Sequence, residues 1–497
     1  MKRWMCVGII LCCLVAACQK TGMVSPPDDS DTAAFDWQNL QVFDQNLLPE
    51  AVPVLDEMQT APYYLLTISL DDELQSVKGT MQVRYTNTSP DTLPYLVFQL
   101  FPNVYGGETI LGDVLVNQVS AAVDPVENEP VVHVQLNSPL QPGETVVVQL
   151  PFESTIPREM GGNYGLYGYF DDVLVLDGFY PLLAIYRDGT WHTNITSPNG
   201  DIKYEVMSLY QVWLTAPKKF KVISTGMIAD HEEHKDTQTL HMVAGPVREF
   251  YLAASDQFIT SERKVGGVTL LSTGLNGTEE AVEQALDIGE GAINTYGEHF
   301  GPYPYSELDV VSTPMQALGM EYPGVSTVTT SLYQAGGTTS GLPNRTLLES
   351  VVAHEIGHQW FFNLVGSDQI EEPWLDESMT QYIVSLFYVD YYNMQAALSY
   401  EASWDTRWSR VDHADTPIGL PSYDYDANEY SPIVYGRGPY FLLALEDAMG
   451  KDTFALALKN YFTAYEWKIA TGADFKREME STCACDLTPL FAEWVYP

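Results

Sequence analysis

The stretch Ala353-His354-Glu355-Ile356-Gly357-His358-Gln359-Trp360 decides how the rest of the chain is interpreted. Two histidines four residues apart stand one above the other on a helix, so both imidazoles can face a single metal ion. Glu355 lies beside them and can take a proton from water. Thr346 and Glu349 have the spacing of a capping box, which predicts a helix that begins about two turns before His354. The alternative is a buried helix with two hydrogen-bonded histidines.

A third metal ligand is predicted at Glu377, which follows His358 after eighteen intervening residues. Gly366 can end the first helix and Pro373 can open a second one. If the second helix folds back antiparallel to the first, Glu377 meets the two histidines. Two histidines and one carboxylate leave one position of a tetrahedral zinc ion for water, which is the pattern of catalytic zinc sites. The sequence therefore predicts one zinc ion held by His354, His358 and Glu377.

The run from His354 to Tyr382 resembles the aminopeptidase N-type zinc metallopeptidases, the gluzincins of peptidase family M1. Two further segments carry the same resemblance. Gly319-Met320-Glu321-Tyr322 resembles the exopeptidase motif of that family, and Tyr435-Gly436-Arg437-Gly438 resembles the segment that holds its catalytic tyrosine.

The resemblance implies roles for individual residues. Glu355 is the expected general base, and Tyr435 is expected to donate a hydrogen bond to the oxyanion. Glu321 is expected to bind the free amino terminus of a peptide, with Gly319 and Met320 along the substrate backbone and Tyr430 lining the site. Without the resemblance, a solvent-facing acid on an edge strand is the better interpretation of Glu321.

Two positions depart from the family pattern. The family usually has Gly-Ala-Met-Glu-Asn where this chain has Leu318-Gly319-Met320-Glu321-Tyr322, which leaves the shape of the first substrate pocket open. Val384 stands seven residues after Glu377, where many members carry an acid that supports the metal site. Valine cannot supply that hydrogen bond, so either zinc affinity is reduced or another residue substitutes.

Residues 1–17 have the features of a secretory signal, with Lys2 and Arg3 before an apolar run that is too short for a permanent membrane anchor. The signal ends in Leu14-Val15-Ala16-Ala17-Cys18, which resembles a bacterial lipobox, so Cys18 is expected to become the lipidated first residue. The alternative is ordinary cleavage after the alanines. We therefore expect a protein anchored by lipid in a bacterial cell envelope and facing outside the cytoplasm, or else a secreted one.

Two domains are predicted after a polar tether at residues 18–45. Residues 46–256 alternate short strand patterns with turn signals and indicate an all-β domain. This part resembles the saddle-like amino-terminal domain of the same family. Residues 257–497 combine a few strands with a predicted helix from Thr278 to His299 and others beyond it. The resemblance implies a thermolysin-like α+β, mostly helical catalytic domain, with an open cleft because the carboxy-terminal helical domain of larger members is not matched.

The composition excludes one class of partner. The chain has 66 acidic and 24 basic side chains, a net charge of -42, so nucleic acid would be repelled. Cys483 and Cys485 are separated by one residue, a spacing that seldom gives an unstrained bridge, and we expect them to be structurally minor. His231 and His234 have ligand spacing but are expected in a solvated turn.

These observations together predict a zinc metallopeptidase whose substrate is a peptide and which releases amino-terminal residues one at a time. Two alternatives stay open. The same site could cut peptides internally, or the chain could be a surface lipoprotein that binds peptide or metal without turnover.

Overall fold

The computed structural model describes residues 35–496, so the predicted signal at residues 1–17 and the lipidation site Cys18 lie outside the described residues. Strands dominate up to Ser255, and helices dominate from Glu279 onward. The predicted fold class, an all-β domain followed by a mostly helical α+β domain, is confirmed.

The amino-terminal domain contains nineteen strands within its described part. They are β1 Tyr63–Leu70, β2 Ser76–Thr86, β3 Leu93–Gln99, β4 Thr109–Leu111, β5 Leu115–Val116, β6 Val119–Ser120, β7 Val123–Pro125, β8 Val131–Leu140, β9 Thr145–Thr155, β10 Tyr167–Phe170, β11 Val173–Leu176, β12 Leu182–Leu183, β13 Tyr186–Arg187, β14 Thr190–Trp191, β15 Ser208–Pro217, β16 Lys221–Ser224, β17 Met227–Glu233, β18 Thr237–Val247 and β19 Leu252–Ser255.

Three larger sheets and the two-stranded pair β13-β14 build the described part of this domain. The largest has nine strands, ordered β17-β18-β15-β1-β2-β9-β5-β6 with β4 also paired to β9. Strand β1 lies in its middle, parallel to β15 and antiparallel to β2. The start of β1, Tyr63-Tyr64-Leu65-Leu66, is a continuous buried apolar run, as expected for a strand covered on both faces. The two four-stranded sheets have the orders β10-β11-β19-β16 and β12-β3-β8-β7.

The second domain adds nine strands and nine helices within its described part. The strands are β20 Phe258–Val265, β21 Val268–Leu275, β22 Glu307–Thr313, β23 Gly319–Tyr322, β24 Val325–Thr329, β25 Thr338–Thr339, β26 Leu342–Pro343, β27 Val365–Gly366 and β28 Lys468–Ile469. The helices are α1 Glu279–His299, α2 Asn344–Gly357, α3 Glu377–Tyr391, α4 Met394–Trp408, α5 Tyr430–Pro432, α6 Gly438–Met449, α7 Lys451–Tyr465, α8 Gly472–Cys483 and α9 Thr488–Trp494. A π-helical turn, Ile433–Arg437, joins α5 to α6.

A five-stranded sheet of order β20-β21-β22-β24-β23 forms the base of this domain. Its last strand, β23, pairs with β24 along one side only and is therefore an edge strand. Helices α1 and α2 pack against the sheet and against each other. This arrangement places the edge strand beside α2, the helix that carries the two histidines.

Arg248 links the two domains. It follows β18, and its Nε donates hydrogen bonds to the carbonyls of Phe362 at 2.7 Å and Asn363 at 2.8 Å. Its Nη1 donates to the Glu205 carbonyl at 2.7 Å, and its Nη2 donates to the Lys468 carbonyl at 2.7 Å and to the Leu364 carbonyl at 3.4 Å. The guanidinium thereby fixes the turn that follows α2.

Phe362, in this turn, has φ +146°, a strained conformation for a residue with a side chain. Gly366 leaves room for the guanidinium of Arg248, since a Cβ there would lie 2.1 Å from its Cζ.

The expected start and end of the first metal-binding helix were wrong, and the second one, α3, begins at Glu377 rather than at Pro373, which opens a short 3₁₀ turn just before it. Helix α2 begins at Asn344, after Pro343 with φ -57°, and no side chain caps it. Pro343, with ψ 135°, is the extended residue just before the helix, so the helix starts earlier than expected and Thr346 lies inside it. Gly366 does not end the helix but lies in β27, because α2 already stops at Gly357.

Two other expectations need correction. Cys483 and Cys485 form a disulfide with a Cα–Cα distance of 5.2 Å. The left-handed conformation of Ala484, φ 52°, bends the chain so that the two thiols reach each other. His231 lies in strand β17 rather than in a turn, and only His234 follows the strand. In residues 35–496 no helix is both long and apolar enough to cross a bilayer.

Candidate active site

The three predicted ligands meet at one point. Nε2 of His354 lies 3.0 Å from Nε2 of His358 and 3.2 Å from Oε2 of Glu377, and the separation between His358 Nε2 and Glu377 Oε2 is 3.6 Å. Ligand atoms about 2.0–2.1 Å from a tetrahedral ion lie roughly 3.3–3.4 Å from one another. The three atoms therefore have the spacing that a single zinc ion requires.

The protonation states of two ligands also suit a metal ion. Burial lowers the pKa of His354 to about 4, with a further contribution from the neighbouring His358, so its imidazole is neutral at pH 7. Burial alone would raise the pKa of Glu377, but hydrogen bonds with His354 and His358 bring it below its usual value. A neutral imidazole and an ionised carboxylate are the forms that bind metals. The donor set fits one zinc ion.

Asp376 supports His358 from the side opposite the ligand atoms. Its Oδ1 lies 2.5 Å from Nδ1 of His358, and both side chains are buried. A carboxylate at this nitrogen keeps the proton on Nδ1 and leaves Nε2 free to bind the ion. Sequence reasoning missed this role, although Asp376 stands directly before Glu377 in the motif.

Glu355 lies against the edge strand. A Cβ built on Gly319 would lie 2.2 Å from Oε1 of Glu355, so only glycine permits this close approach. The carboxyl group is buried, and burial raises its pKa well above the usual value. A carboxylate with a raised pKa is a stronger base once ionised. Glu355 and Gly319 are thus in close contact in the structure, although they are 36 positions apart in the chain.

Tyr435 lies on the other side of the ligands. Its hydroxyl donates a hydrogen bond to Oε1 of Glu377 at 2.6 Å, and its ring is tilted against that of His354 at a centroid distance of 6.2 Å. The π-helical turn that carries it is fixed by Ser378, whose hydroxyl donates to the Val434 carbonyl at 2.6 Å. The tyrosine hydroxyl is therefore held within reach of the metal-binding atoms.

The remaining predicted residues line the cleft. Glu321 is buried, and its Oε1 accepts a hydrogen bond from Gln369 at 3.0 Å. Met320 is partly buried beside it on β23. The ring of Tyr430 lies 6.0 Å from that of Tyr435 in an edge arrangement. The structure thus brings all nine predicted metal, catalytic and substrate residues to one cleft.

Asp201 completes the site and was not predicted. It comes from the amino-terminal domain, after the turn Ser197-Pro198-Asn199-Gly200, yet carboxylate oxygens of Asp201, Glu321 and Glu377 lie within 4.8 Å of one another. Burial, followed by the charges of Glu377 and Asp376, raises the pKa of Asp201 to about 7. Its sequence carries no signal beyond a turn-rich stretch, because the contact depends on how one domain meets the other.

A cavity of about 100 Å³ lies beside Glu321 between the domains. At one end the ammonium of Lys203 is paired with both Asp177 and Glu249. Apolar and aromatic side chains form most of the rest of the wall, among them Tyr105, Leu166, Met320, Tyr322 and Phe362. Tyr322, which replaces the usual asparagine, stacks on Tyr251 at a centroid distance of 3.8 Å. The cavity offers a mainly apolar space next to a group of carboxylates.

Comparison with known proteins agrees with this geometry. Residues 284–494 match the peptidase family M1 domain. This region of the chain is therefore an M1 peptidase domain, and it contains the three metal ligands, Glu355 and Tyr435.

Curated relatives are aminopeptidases. The chain is 25% identical over 305 residues to probable aminopeptidase 2 of Sulfurisphaera tokodaii, which covers 58% of this chain and 38% of that protein. It is 30% identical over 254 residues to leucine aminopeptidase 2 of Emericella nidulans, covering 48% of this chain and 39% of that protein. The chain thus spans well under half the length of these two relatives.

The fold extends the match to both domains. The chain superposes on an M1 zinc metallopeptidase from Deinococcus radiodurans with a TM-score of 0.66 and 18% identity, over 88% of this chain and 94% of that one. A variant of that protein was solved with a Tyr-Ser-Ala substrate bound. The fold is that of a two-domain M1 zinc metallopeptidase.

Proposed function

We propose that this protein is a zinc-dependent aminopeptidase that releases amino-terminal residues from peptides outside the cytoplasm. One observation carries the proposal: two carboxylates from two domains, Asp201 and Glu321, converge beside the metal ligand Glu377. Such a group binds a peptide ammonium and repels a carboxylate or an approaching acidic side chain. A peptide held there by its amino terminus presents its first peptide bond to the metal site.

The residues of the chain divide the reaction between them. When bound, the zinc ion polarises the scissile carbonyl and makes water a better nucleophile. Glu355 takes the proton from the attacking water and returns it to the leaving amine. Tyr435 donates its hydroxyl hydrogen to the carbonyl oxygen as negative charge develops there. Glu321, with Asp201, fixes the ammonium so that these groups meet the first peptide bond.

The edge strand orients the substrate. Within residues 35–496, strand β23 has one side without a strand partner, and an extended peptide can pair with that side by main-chain hydrogen bonds. Gly319 at the start of the strand keeps the carboxyl group of Glu355 close to the paired backbone. Pairing at this edge therefore sets both the direction of the peptide and its distance from the base.

The cavity beside Glu321 receives the side chain of the first residue. Lys203, Asp177 and Glu249 in its wall are already paired with one another, and Asp201 and Glu321 face the substrate ammonium in this proposal, so the apolar part of the wall governs the fit of the side chain. A cavity of 150 Å³ is known to hold benzene, and this one is about 100 Å³. We expect apolar side chains of the size of leucine or methionine to be preferred over tryptophan.

The location is proposed from the sequence. The apolar run before Cys18 and the lipobox-like residues at 14–18 support export and lipid attachment in a bacterial envelope. Mass spectrometry of the mature amino terminus tests this. A diacylglycerol-modified Cys18 supports the anchor, and an unmodified terminus elsewhere refutes it.

The activity is tested with leucine anilide and its amino-acetylated counterpart, each with and without a metal chelator. We expect hydrolysis of the free amine only, with the acetylated compound at least about 100-fold slower, because a charged hydrogen bond contributes about 1.5–3 kcal/mol and the site offers more than one. The chelator should abolish turnover, and zinc should restore it.

Other outcomes of the same assay assign other functions. Equal rates on both compounds would indicate an endopeptidase and remove Glu321 from its role. No turnover of either compound by zinc-loaded protein would indicate a binding protein. Glu321→Gln provides the matched variant: it should raise KM for the free amine by about 10-fold or more and leave any residual rate on the acetylated compound unchanged.

A further inference from the structure

Nδ1 of His354, the ring nitrogen that is not among the predicted metal-binding atoms, lies next to the side-chain amide of Gln381. It lies 3.4 Å from Nε2 of Gln381, whereas Nδ1 of His358 lies 2.5 Å from a carboxylate oxygen of Asp376. Val384, where many family members carry an acid, is fully buried and apolar. The two ligand histidines are thus supported by different chemical groups.

Helix α3 explains how Gln381 reaches this position. Glu377, Gln381 and Val384 follow one another at spacings of four and three residues, which places them on one face of the helix. Gln381 stands about one turn closer to Glu377 than Val384 does. Val384 offers His354 no polar partner. The side chain of Gln381, on the same face of the helix, can reach His354 instead.

The amide is held from its other side by helix α4. The hydroxyl of Tyr400 donates a hydrogen bond to Oε1 of Gln381 at 2.6 Å. Gln381 is buried, so its amide has two neighbours and little freedom. The series His354, Gln381, Tyr400 forms a continuous chain of polar groups from the metal ligands to α4.

The metal-bound form of His354 requires one of the two orientations of the Gln381 side-chain amide. When Nε2 of His354 binds an ion, the ring proton is on Nδ1, which must find an acceptor. The oxygen and nitrogen of a glutamine amide have nearly the same shape, and the hydrogen-bond network decides between the two orientations. In the turned orientation Oε1 accepts from Nδ1–H of His354, and Nε2 donates to the Tyr400 hydroxyl. Tyr400 serves in both orientations because a hydroxyl is both donor and acceptor.

We propose that Gln381, held by Tyr400, is the positioning residue that orients His354 for zinc and replaces the acid absent at Val384. This inference rests on the zinc site of the proposed function and not on peptide hydrolysis. A neutral amide polarises the imidazole less than a carboxylate does. His354 is therefore the weaker zinc ligand of the two histidines. Zinc affinity should therefore depend on the group at position 381.

Zinc affinity of the full chain, measured by competition with a chromophoric chelator, tests the proposal without any activity assay. Gln381→Leu should weaken zinc binding by about 10–100-fold, the effect typical for loss of such a partner. Gln381→Glu should bind zinc at least as tightly as the wild type, because a carboxylate restores the usual acceptor. Tyr400→Phe should weaken binding by a smaller factor.

A second buried glutamine provides the control. Gln359 follows His358 in the chain, but its side-chain amide donates to the Tyr322 carbonyl and accepts from the Gly324 amide, and among the described residues it makes no hydrogen bond to a ligand imidazole. Gln359→Leu should lower the melting temperature of the zinc-free protein and leave the zinc Kd within about threefold of wild type.

The proposal is overturned if Gln381→Leu binds zinc within twofold of wild type, or if Gln381→Glu binds as weakly as Gln381→Leu. It is also overturned if Gln359→Leu and Gln381→Leu lose affinity equally. Should Gln381→Leu not fold, Tyr400→Phe and Gln381→Glu give the same decision.

Discussion

Replacing Arg248 by methionine tests how strongly the two domains depend on one buried side chain. Methionine keeps much of the volume and removes the guanidinium, which donates four hydrogen bonds of 2.7–2.8 Å to backbone carbonyls and a longer one to Leu364. Three of the acceptors, Phe362, Asn363 and Leu364, belong to the turn after α2. The change therefore leaves several buried carbonyls without a donor.

The magnitude follows from two opposing effects. Hydrogen bonds from a charged donor contribute about 1.5–3 kcal/mol each, so the three N–H groups that make the short bonds contribute about 6–7 kcal/mol at the middle of that range. Burial is the main cause that lowers the pKa of Arg248 to about 10, which corresponds to about 3 kcal/mol spent on keeping the charge buried. Removing the charge recovers that cost. We expect a net loss of about 3–4 kcal/mol, in the range found when one partner of a buried ionic contact is removed.

Urea unfolding followed by tryptophan fluorescence measures this loss, and a melting curve should shift by about 6–16 °C for domains of this size. Arg84→Met is the matched control, because Arg84 is equally buried but, among the described residues, donates only to the Trp37 and Ala61 carbonyls, neither of which belongs to the second domain. It should cost less and leave the zinc Kd unchanged. A loss for Arg248→Met below about 1 kcal/mol, or one no larger than that of Arg84→Met, would refute the reasoning.

Four further outcomes are expected. Glu355→Gln should reduce kcat by about 100–10,000-fold while metal analysis finds one zinc per chain, and unchanged turnover would remove Glu355 as the base. Tyr435→Phe should reduce kcat by about 100–1,000-fold with KM little changed; a change confined to KM would contradict its role at the oxyanion. Gly319→Ala should reduce kcat by about 100-fold with normal zinc affinity, since the new methyl group displaces the Glu355 carboxyl; wild-type kcat would mean that the strand yields freely. Burial lowers the pKa of His241 to about 4, so the stability that it contributes above pH 6.5 should be lost as pH falls toward 4, by up to about 3 kcal/mol. Unfolding of His241→Gln should show a shallower decline over this pH range, and parallel profiles for the two proteins would be inconsistent with the shift.

The metal ligands could be predicted from the sequence because their geometry is local. His354 and His358 are one turn apart on a single helix, and a short connection leads to the helix of Glu377. The capping box at Thr346 failed because the helix starts earlier, directly after Pro343. The bridge between Cys483 and Cys485 was missed because it depends on the left-handed backbone of Ala484.

The meeting of Asp201 with Glu321 across the domain boundary could not be predicted. Asp201 and Glu321 are 120 positions apart, and nothing in either segment encodes how a loop of one domain approaches the edge strand of the other. Gln381 was missed for a different reason. Its position on the face of Glu377 is readable from the periodicity, but its contact with Tyr400 depends on where α4 packs.

The carboxylate that Asp201 contributes has an evolutionary consequence. In the proposed function, each half of the molecule supplies part of the surface that binds a substrate. A chimera that joins the helical half of one homologue to the β domain of another would then take its metal site from one parent and its recognition of the free amine from both. We therefore expect substrate selectivity to depend on the combination of the two domains, and the two domains to change together in evolution.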